Sequence, residues 1–254
     1  MNSDSASYLS RPDGTRIAYH KLSGKSPGVM FLGGYHSDMT GTKATALEAH
    51  CRATGRAFVR FDYTGHGVSS GRFEEGTIGS WAQDAIAILD EVAEGPQVLV
   101  GSSMGGWIML LTALALPDRV SGLVGIASAP DFTEDLIWKE LPDEARKAII
   151  QEGQWSRPSE YEEEGYPITL KLIEDGRNHL LLRAPIPITC PVRLLHGIKD
   201  ADVPWEVSRR LSEMLESEDV TLTLVKNGDH RLSEPAHLAR LMRTIGDLCD
   251  QLER

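Results

Sequence analysis

Residues 98–116 read VLVGSSMGGWIMLLTALAL. An apolar, β-rich run ends in Gly101-Ser102-Ser103-Met104-Gly105-Gly106 and opens at once into a helical pattern. Gly-x-Ser-x-Gly between a strand and a helix describes a sharp turn that lifts one serine hydroxyl above a sheet, a nucleophile elbow. Gly101 and Gly105 flank Ser103 by two residues because such a turn brings backbones too close for side chains. The helix directs its N-terminus at the serine, so the Met104 amide is placed to donate to a developing oxyanion. Three fixed letters arise by chance in roughly one chain of this length in ten. The flanking strand and helix, and partners elsewhere in the chain, must therefore carry the argument.

Upstream, Tyr8–Ser10 and Ile17–Lys21 flank the turn Arg11-Pro12-Asp13-Gly14 and predict a hairpin. Gly28–Leu32 is a buried-type strand running into Gly33-Gly34-Tyr35-His36-Ser37. Thr42–Thr54 reads as a helix closed by Gly55, Ala57–Asp62 as a strand, Ser80–Glu94 as a helix and Val98–Gly101 as the strand that feeds the elbow. Gly122–Ser128 is a further strand, and after residue 187 the alternation resumes with Val192–His196, Trp205–Leu215, Thr221–Val225 and Pro235–Leu252. Strands alternating with helices at this spacing imply an α/β fold, with a mainly parallel central sheet and helices on both faces. Between them, residues 131–187 hold helical stretches, the acidic run Glu160, Glu162, Glu163, Glu164 and the aromatics Trp138, Trp155, Tyr161 and Tyr166. This segment is expected to be an inserted helical cap over the active site, within a single domain spanning 1–254.

The 254 residues carry a net charge of −11 with no basic stripe, which argues against nucleic-acid binding. Cys51, Cys190 and Cys249 are far apart and lack metal-ligand spacing. No apolar stretch approaches the ~20 residues needed to span a bilayer, so stable membrane insertion is not expected. Residues 1–14 have neither signal-peptide nor transit-peptide character, and the expectation is a cytoplasmic protein with reduced thiols.

A serine hydroxyl is a weak nucleophile at neutral pH and needs a base within hydrogen-bond reach and a carboxylate to orient that base. On this architecture the chain order is Ser, then Asp or Glu, then His, each on a loop after a strand. Among eight histidines, His20, His50, His179, His196 and His237 lie in a strand, in helices or in the cap region, while His36 and His66 are candidate pocket-lining residues. Only His230, in Asn227-Gly228-Asp229-His230 after the last strand, fits the base. For the acid, Asp200 sits at the first turn position after the Val192–His196 strand and is favoured over Asp202, which could instead cap the next helix. Asp131, after the preceding strand, is a third candidate. The second oxyanion donor is expected from the Tyr35 amide, each such donor being worth roughly 3 kcal/mol.

The segments FLGGYHSDMTGTKA (31–44), RFDYTGHGVSSG (60–71), GPQVLVGSSMGGW (95–107), CPVRLLHGIKDADVPW (190–205) and the final DHR (229–231) closely resemble the α/β-hydrolase superfamily. Within it they resemble the abhydrolase-domain serine hydrolases, acyl-protein thioesterases that also cleave acyl glucuronides. The resemblance implies an α/β-hydrolase fold and places the nucleophile at Ser103, the acid at Asp200 in HGIKD and the base at His230 in DHR. The chain departs from that family in carrying Gly33-Gly34-Tyr35 where the resembling loop has Pro-Gly. The cap is the less similar part.

The expected function is a serine hydrolase that cleaves acyl thioesters or carboxylic esters through an acyl-serine intermediate, with no cofactor and no metal. Its substrate would be a small ester or thioester, or an acylated protein. Trp138 and Trp155 are expected to help line an apolar acyl pocket. The same three residues would also serve a lactone or carbon-carbon bond hydrolase, and a ligand receptor can retain such a scaffold.

Overall fold

Successive side chains of a strand face opposite sides of a sheet, and in this chain both sides are apolar. The computed structural model describes residues 5–157 and 165–254. In β3 (Lys25–Leu32), Met30 and Leu32 enter one buried cluster while Val29 and Phe31 enter another. In β5 (Gln97–Ser102), Leu99 joins the first cluster and Val98 and Val100 the second. The first cluster is covered by α2 (Ile78–Ala87), α3 (Met104–Ala115) and α6 (Glu206–Met214), the second by α1 (Thr42–Thr54) and α7 (Pro235–Leu252). Each large apolar side chain so buried contributes about 2 kcal/mol, against at most about 1 for a surface ion pair. The two-sided core therefore determines where the strand ends lie.

The remaining strands of the sheet are β1 (Ser7–Ser10), β2 (Arg16–Leu22), β4 (Arg56–Phe61), β6 (Val120–Ile126), β9 (Val192–Gly197) and β10 (Val220–Val225). The eight strands run in the order β1-β2-β4-β3-β5-β6-β9-β10. From β4 to β10 every neighbouring pair is parallel, while β2 is antiparallel to both β1 and β4. This is the mainly parallel sheet that the alternation predicted. Parallel strands bring their carboxyl ends to one edge, so the loops after β3, β5, β9 and β10 gather there. None of the described helices is long and apolar enough to cross a membrane.

The helix expected over Ser80–Glu94 begins earlier and ends differently. Thr77 caps α2 by accepting from the Ser80 amide, and the Ser80 hydroxyl accepts from the Thr77 amide. The serine in the third helical position hides this reciprocal cap from a search for Glu or Gln. Beyond Ala87 the helix widens into a π-helical turn, Ile88–Val92.

Residues 131–187 also hold more than helices. Besides a π-helical turn (Thr133–Trp138), α4 (Asp143–Glu152) and α5 (Leu170–Arg177), they contain an antiparallel hairpin of β7 (Gln154–Arg157) and β8 (Tyr166–Thr169). Four-residue strands, one of them mostly exposed, carry too little apolar alternation to stand out in the sequence. The acidic run Glu160, Glu162, Glu163, Glu164 and Tyr161 lie outside the described residues. Polar pins join this segment to the sheet layer: Trp107 Nε1 donates to the His179 carbonyl (3.0 Å), the Gly79 amide to Asp175 (2.7 Å) and the Tyr35 hydroxyl to the Pro167 carbonyl (2.6 Å).

His66, on the loop after β4, is enclosed by Phe73, Trp81 and Tyr63 at ring distances of 5.0, 5.1 and 5.5 Å. Its Nε2 has no hydrogen-bond partner among the described residues. Burial lowers its pKa from 6.5 to about 4, against the opposing pull of the Thr64 carbonyl. Because the folded value lies below the unfolded one, the unfolded chain takes up this proton first as pH falls. The stability tied to neutral His66 is complete above about pH 6.5 and is lost towards about pH 4, roughly 3 kcal/mol in all. Urea unfolding at pH 7 and at pH 4.5 should show the wild type losing roughly 2 kcal/mol more than His66→Phe over that interval. Equal losses would contradict the assignment.

Candidate active site

Ser103 stands between β5 and α3 with φ 56° and ψ −119°, a left-handed conformation that costs a residue with a Cβ about 1–3 kcal/mol. Three backbone hydrogen bonds hold it there: Ser103 N–H donates to the Ile126 carbonyl (2.9 Å), and its own carbonyl accepts from Gly106 (2.8 Å) and Ala129 (3.1 Å). The flanking glycines are sterically required. A Cβ on Gly105 would lie 2.1 Å from the Leu32 carbonyl oxygen, and one on Gly101 would lie 2.3 Å from the Gly105 carbonyl oxygen.

The structure brings Ser103, His230 and Asp200 together from three loops. His230 Nε2 is 3.0 Å from Ser103 Oγ, and His230 Nδ1 is 2.8 Å from Asp200 Oδ2. The Asp200 side chain is fully buried, whereas that of His230 keeps 19% exposure. Burial works against the Asp200 charge, but hydrogen bonds from His196 and His230, the attraction of His230 and the Val203 amide outweigh it. They hold the carboxyl well below the usual carboxylate range. A carboxylate is an acceptor only, so Nδ1 of His230 carries hydrogen, and in the neutral ring Nε2 is left to accept from the serine hydroxyl. This arrangement can take a proton from Ser103 while holding the imidazole in one orientation.

Two other carboxylates raised by the sequence are placed differently. Asp202 is exposed; its amide donates to Asp200 Oδ1 (2.9 Å), and its side chain does not cap α6. Asp131 is fully buried at the base of the 131–187 segment, accepting from the Leu181 and Leu182 amides (2.7 and 2.9 Å) and pairing with Arg183 (3.0 Å). It clamps the two ends of that segment together. Asp200, Asp202 and His230 each offer a ligand atom within 4.8 Å of the others, the one such group among the described residues. An ion there would compete with the proton shared by Asp200 and His230.

His196, a strand residue on β9 that chain order alone does not single out, supports Asp200. It has no exposed surface, and its Nε2 lies 3.1 Å from Asp200 Oδ2 and 2.9 Å from the Val203 carbonyl. Both neighbours are acceptors, so Nε2 carries hydrogen and Nδ1 accepts from the Ser208 hydroxyl (2.7 Å). The one available signal is its position four residues before Asp200 at the end of a core strand.

Met104 is the first residue of α3, where an amide has no acceptor within the helix. The loop after β3 passes close to Ser103, since a Cβ on Gly34 would lie 3.5 Å from the serine Cβ. The next residue, Tyr35, sends its ring into a cluster with Phe73, Trp81, Phe132 and Tyr166 at 4.9 to 6.2 Å. Burial, with Glu74 adding to it, pushes its hydroxyl pKa well upward, so it remains a hydrogen-bond donor to Pro167. His36 meets Phe73 and Tyr166 at 4.7 and 5.2 Å. Trp138 lies beneath the Arg177 guanidinium (4.9 Å), and Trp155 pairs with Ile168 across the β7–β8 hairpin. Both tryptophans pack against the first core cluster, and neither hydrogen-bonds or stacks with Ser103, His230 or Asp200 among the described residues.

Residues 29–241 match the model of the alpha/beta hydrolase family. The chain is 49% identical over 249 residues to bovine palmitoyl-protein thioesterase ABHD10, covering 98% of this chain and 81% of the relative. The human protein of the same name is 48% identical over the same spans. The solved structure of alpha/beta hydrolase domain-containing protein 10 from mouse superposes with a TM-score of 0.91 at 48% identity, covering 98% of this chain and 99% of that one. The mammalian relatives are named as mitochondrial, which corrects the expectation of cytoplasmic residence. A targeting leader is read separately and removed, so the composition of a folded domain carries no address. By its sheet, its elbow and its relatives, the chain belongs to the α/β-hydrolase family, in its ABHD10-like branch.

Proposed function

We propose that the protein is a serine hydrolase that cleaves acyl thioesters and activated carboxylic esters, with Ser103 as nucleophile, His230 as general base and Asp200 as the orienting acid. The observation that carries this reading is the hydrogen-bonded chain from Ser103 Oγ through His230 to Asp200, at 3.0 and 2.8 Å. The names of the mammalian relatives, palmitoyl-protein thioesterases, support a long-chain acyl thioester on a protein as the substrate class. Residues 1–254 are read as one domain in which the 131–187 segment serves as the cap.

Ser103 Oγ attacks the acyl carbonyl carbon as its proton passes to His230 Nε2. The buried Asp200 carboxylate faces the imidazolium that forms. Charge gathers on the former carbonyl oxygen, where the Met104 and Tyr35 amides donate, each removing roughly 3 kcal/mol from the barrier. Collapse of the tetrahedral adduct breaks the bond to sulfur or oxygen, and the leaving group takes the proton from His230. Water then enters, gives a proton to His230 and attacks the acyl-serine, releasing the carboxylic acid and restoring the hydroxyl. Trp138 and Trp155 are read as acyl-chain contacts because they pack on the same apolar cluster as Met104 and Tyr35.

Ser103→Ala should lose fluorophosphonate labelling and at least about a thousandfold in turnover of palmitoyl thioesters. Full turnover by this variant would end the proposal, and labelling of the wild type without turnover would favour a receptor. Asp200→Asn should lower kcat by about a thousandfold or more, and Asp202→Asn by no more than a few fold. Equal losses would reassign the acid. Trp138→Ala and Trp155→Ala should each shift the preferred chain length in a panel of acyl thioesters, whereas an unchanged profile would leave these side chains a packing role only.

A further inference from the structure

The loop that carries His230 has little ladder of its own to rest on. The Gly228 amide donates to the Val225 carbonyl, the Gly228 carbonyl accepts from Lys199, and α7 begins only at Pro235. Between these points, among the described residues, no backbone-to-backbone hydrogen bond reaches residues 229–233. The imidazole must nonetheless meet two atoms at once, Ser103 Oγ and Asp200 Oδ2. A misplacement of about 1 Å at such a group can cost roughly a hundredfold in rate. Side chains must therefore fix this loop.

Two of them grip opposite edges of one peptide unit. The Leu232 N–H donates to Asp229 Oδ1 (2.9 Å), and the Arg231 carbonyl of the same peptide accepts from Lys43 Nζ (2.5 Å), 188 residues away on α1. Leu232 itself has φ 46° and is buried in the cluster that holds Ala44 and Leu47 of α1. A leucine seldom adopts that conformation unless its surroundings impose it. The position is costly for the lysine too. Lys43 lies in the first turn of α1, where the helix dipole disfavours a cation, and no acidic residue accompanies it in that turn. Burial, with repulsion from Arg231 added and attraction to Asp229 opposing, lowers its pKa from 10.5 to about 8.

We propose that Lys43 is a positioning residue for His230, a role that rests on His230 being the general base. By holding the Arg231 carbonyl, Lys43 fixes the peptide that follows Arg231 and so aims the imidazole between Ser103 and Asp200. Asp229 holds the N–H of the same peptide, and the two side chains together set its plane. Lys43 acts through backbone and not on the reacting atoms. Its loss should slow the chemical step and leave substrate binding unchanged.

The rate of fluorophosphonate labelling tests this without a chosen substrate, because the probe needs only Ser103 activated by His230. Rates are taken per site labelled at completion, so that folding does not enter the comparison. Lys43→Met keeps a long unbranched side chain but removes the donor, and should label about tenfold or more slowly than wild type. Its kcat for palmitoyl thioesters, per labelled site, should fall by a similar factor with KM within about twofold. Lys43→Arg keeps donor and charge and should return to within about threefold of wild type. A Lys43→Met variant as fast as wild type, a loss confined to KM, or a Lys43→Arg variant as slow as Lys43→Met would each overturn the proposal. A wild type that the probe does not label would instead overturn the reading of Ser103 and His230 on which it rests.

Discussion

At the start of α3 there is no room for a methyl group. Gly105 brings the first turn of the helix against the Leu32 carbonyl, and Gly101 makes the strand before it equally close to the helix. This contact holds Ser103 in a left-handed conformation that a free chain would seldom adopt. The strain is offset by hydrogen bonds to Ile126, Gly106 and Ala129, which tie the turn to the neighbouring strand. The same approach sets the β3 loop beside the serine, so the position of Tyr35 and its amide follows from the packing of glycine on backbone.

Asp200 is the second fixed point. His230, His196 and the Asp202 and Val203 amides all donate to its two oxygens. A charge buried without partners would protonate instead, and these four donors hold it ionised at neutral pH. His196 is held in turn by Ser208 on α6, so the carboxylate reaches back into a helix of the fold. The orientation of His230 thus rests on packing well behind the loop that carries it.

The 131–187 segment is joined to this centre by polar contacts on an apolar bed. Asp131 fastens its two ends, Trp107 holds its last turn, and the Tyr35 hydroxyl links the loop beside Ser103 to the β7–β8 hairpin. A tyrosine whose amide is proposed to meet the oxyanion and whose hydroxyl donates to the Pro167 carbonyl ties the β7–β8 hairpin to the loop beside Ser103 through one residue.

The alternation of apolar runs with helical stripes already implied the parallel sheet, because burial on both faces leaves that pattern little other use. The elbow was legible at Ser103 because glycine spacing records a steric demand directly, and chain order singled out His230. Residue chemistry favoured Asp200 over Asp202, with Asp131 a third candidate, and the resemblance placed the acid at Asp200; in the structure Asp202 is exposed, Asp131 is bound by the Leu181 and Leu182 amides, and Asp200 meets His230. The Thr77–Ser80 cap, the β7–β8 hairpin and the part played by His196 were hidden because each depends on contacts between residues whose individual character is ordinary. Sequence by itself determined which backbone atoms had to be close and which faces had to be buried, since these are local properties of residue type. Only the tertiary structure decided which carboxylate meets the imidazole, because that depends on where loops from β9 and β10, thirty residues apart in the chain, come to rest on a common sheet edge.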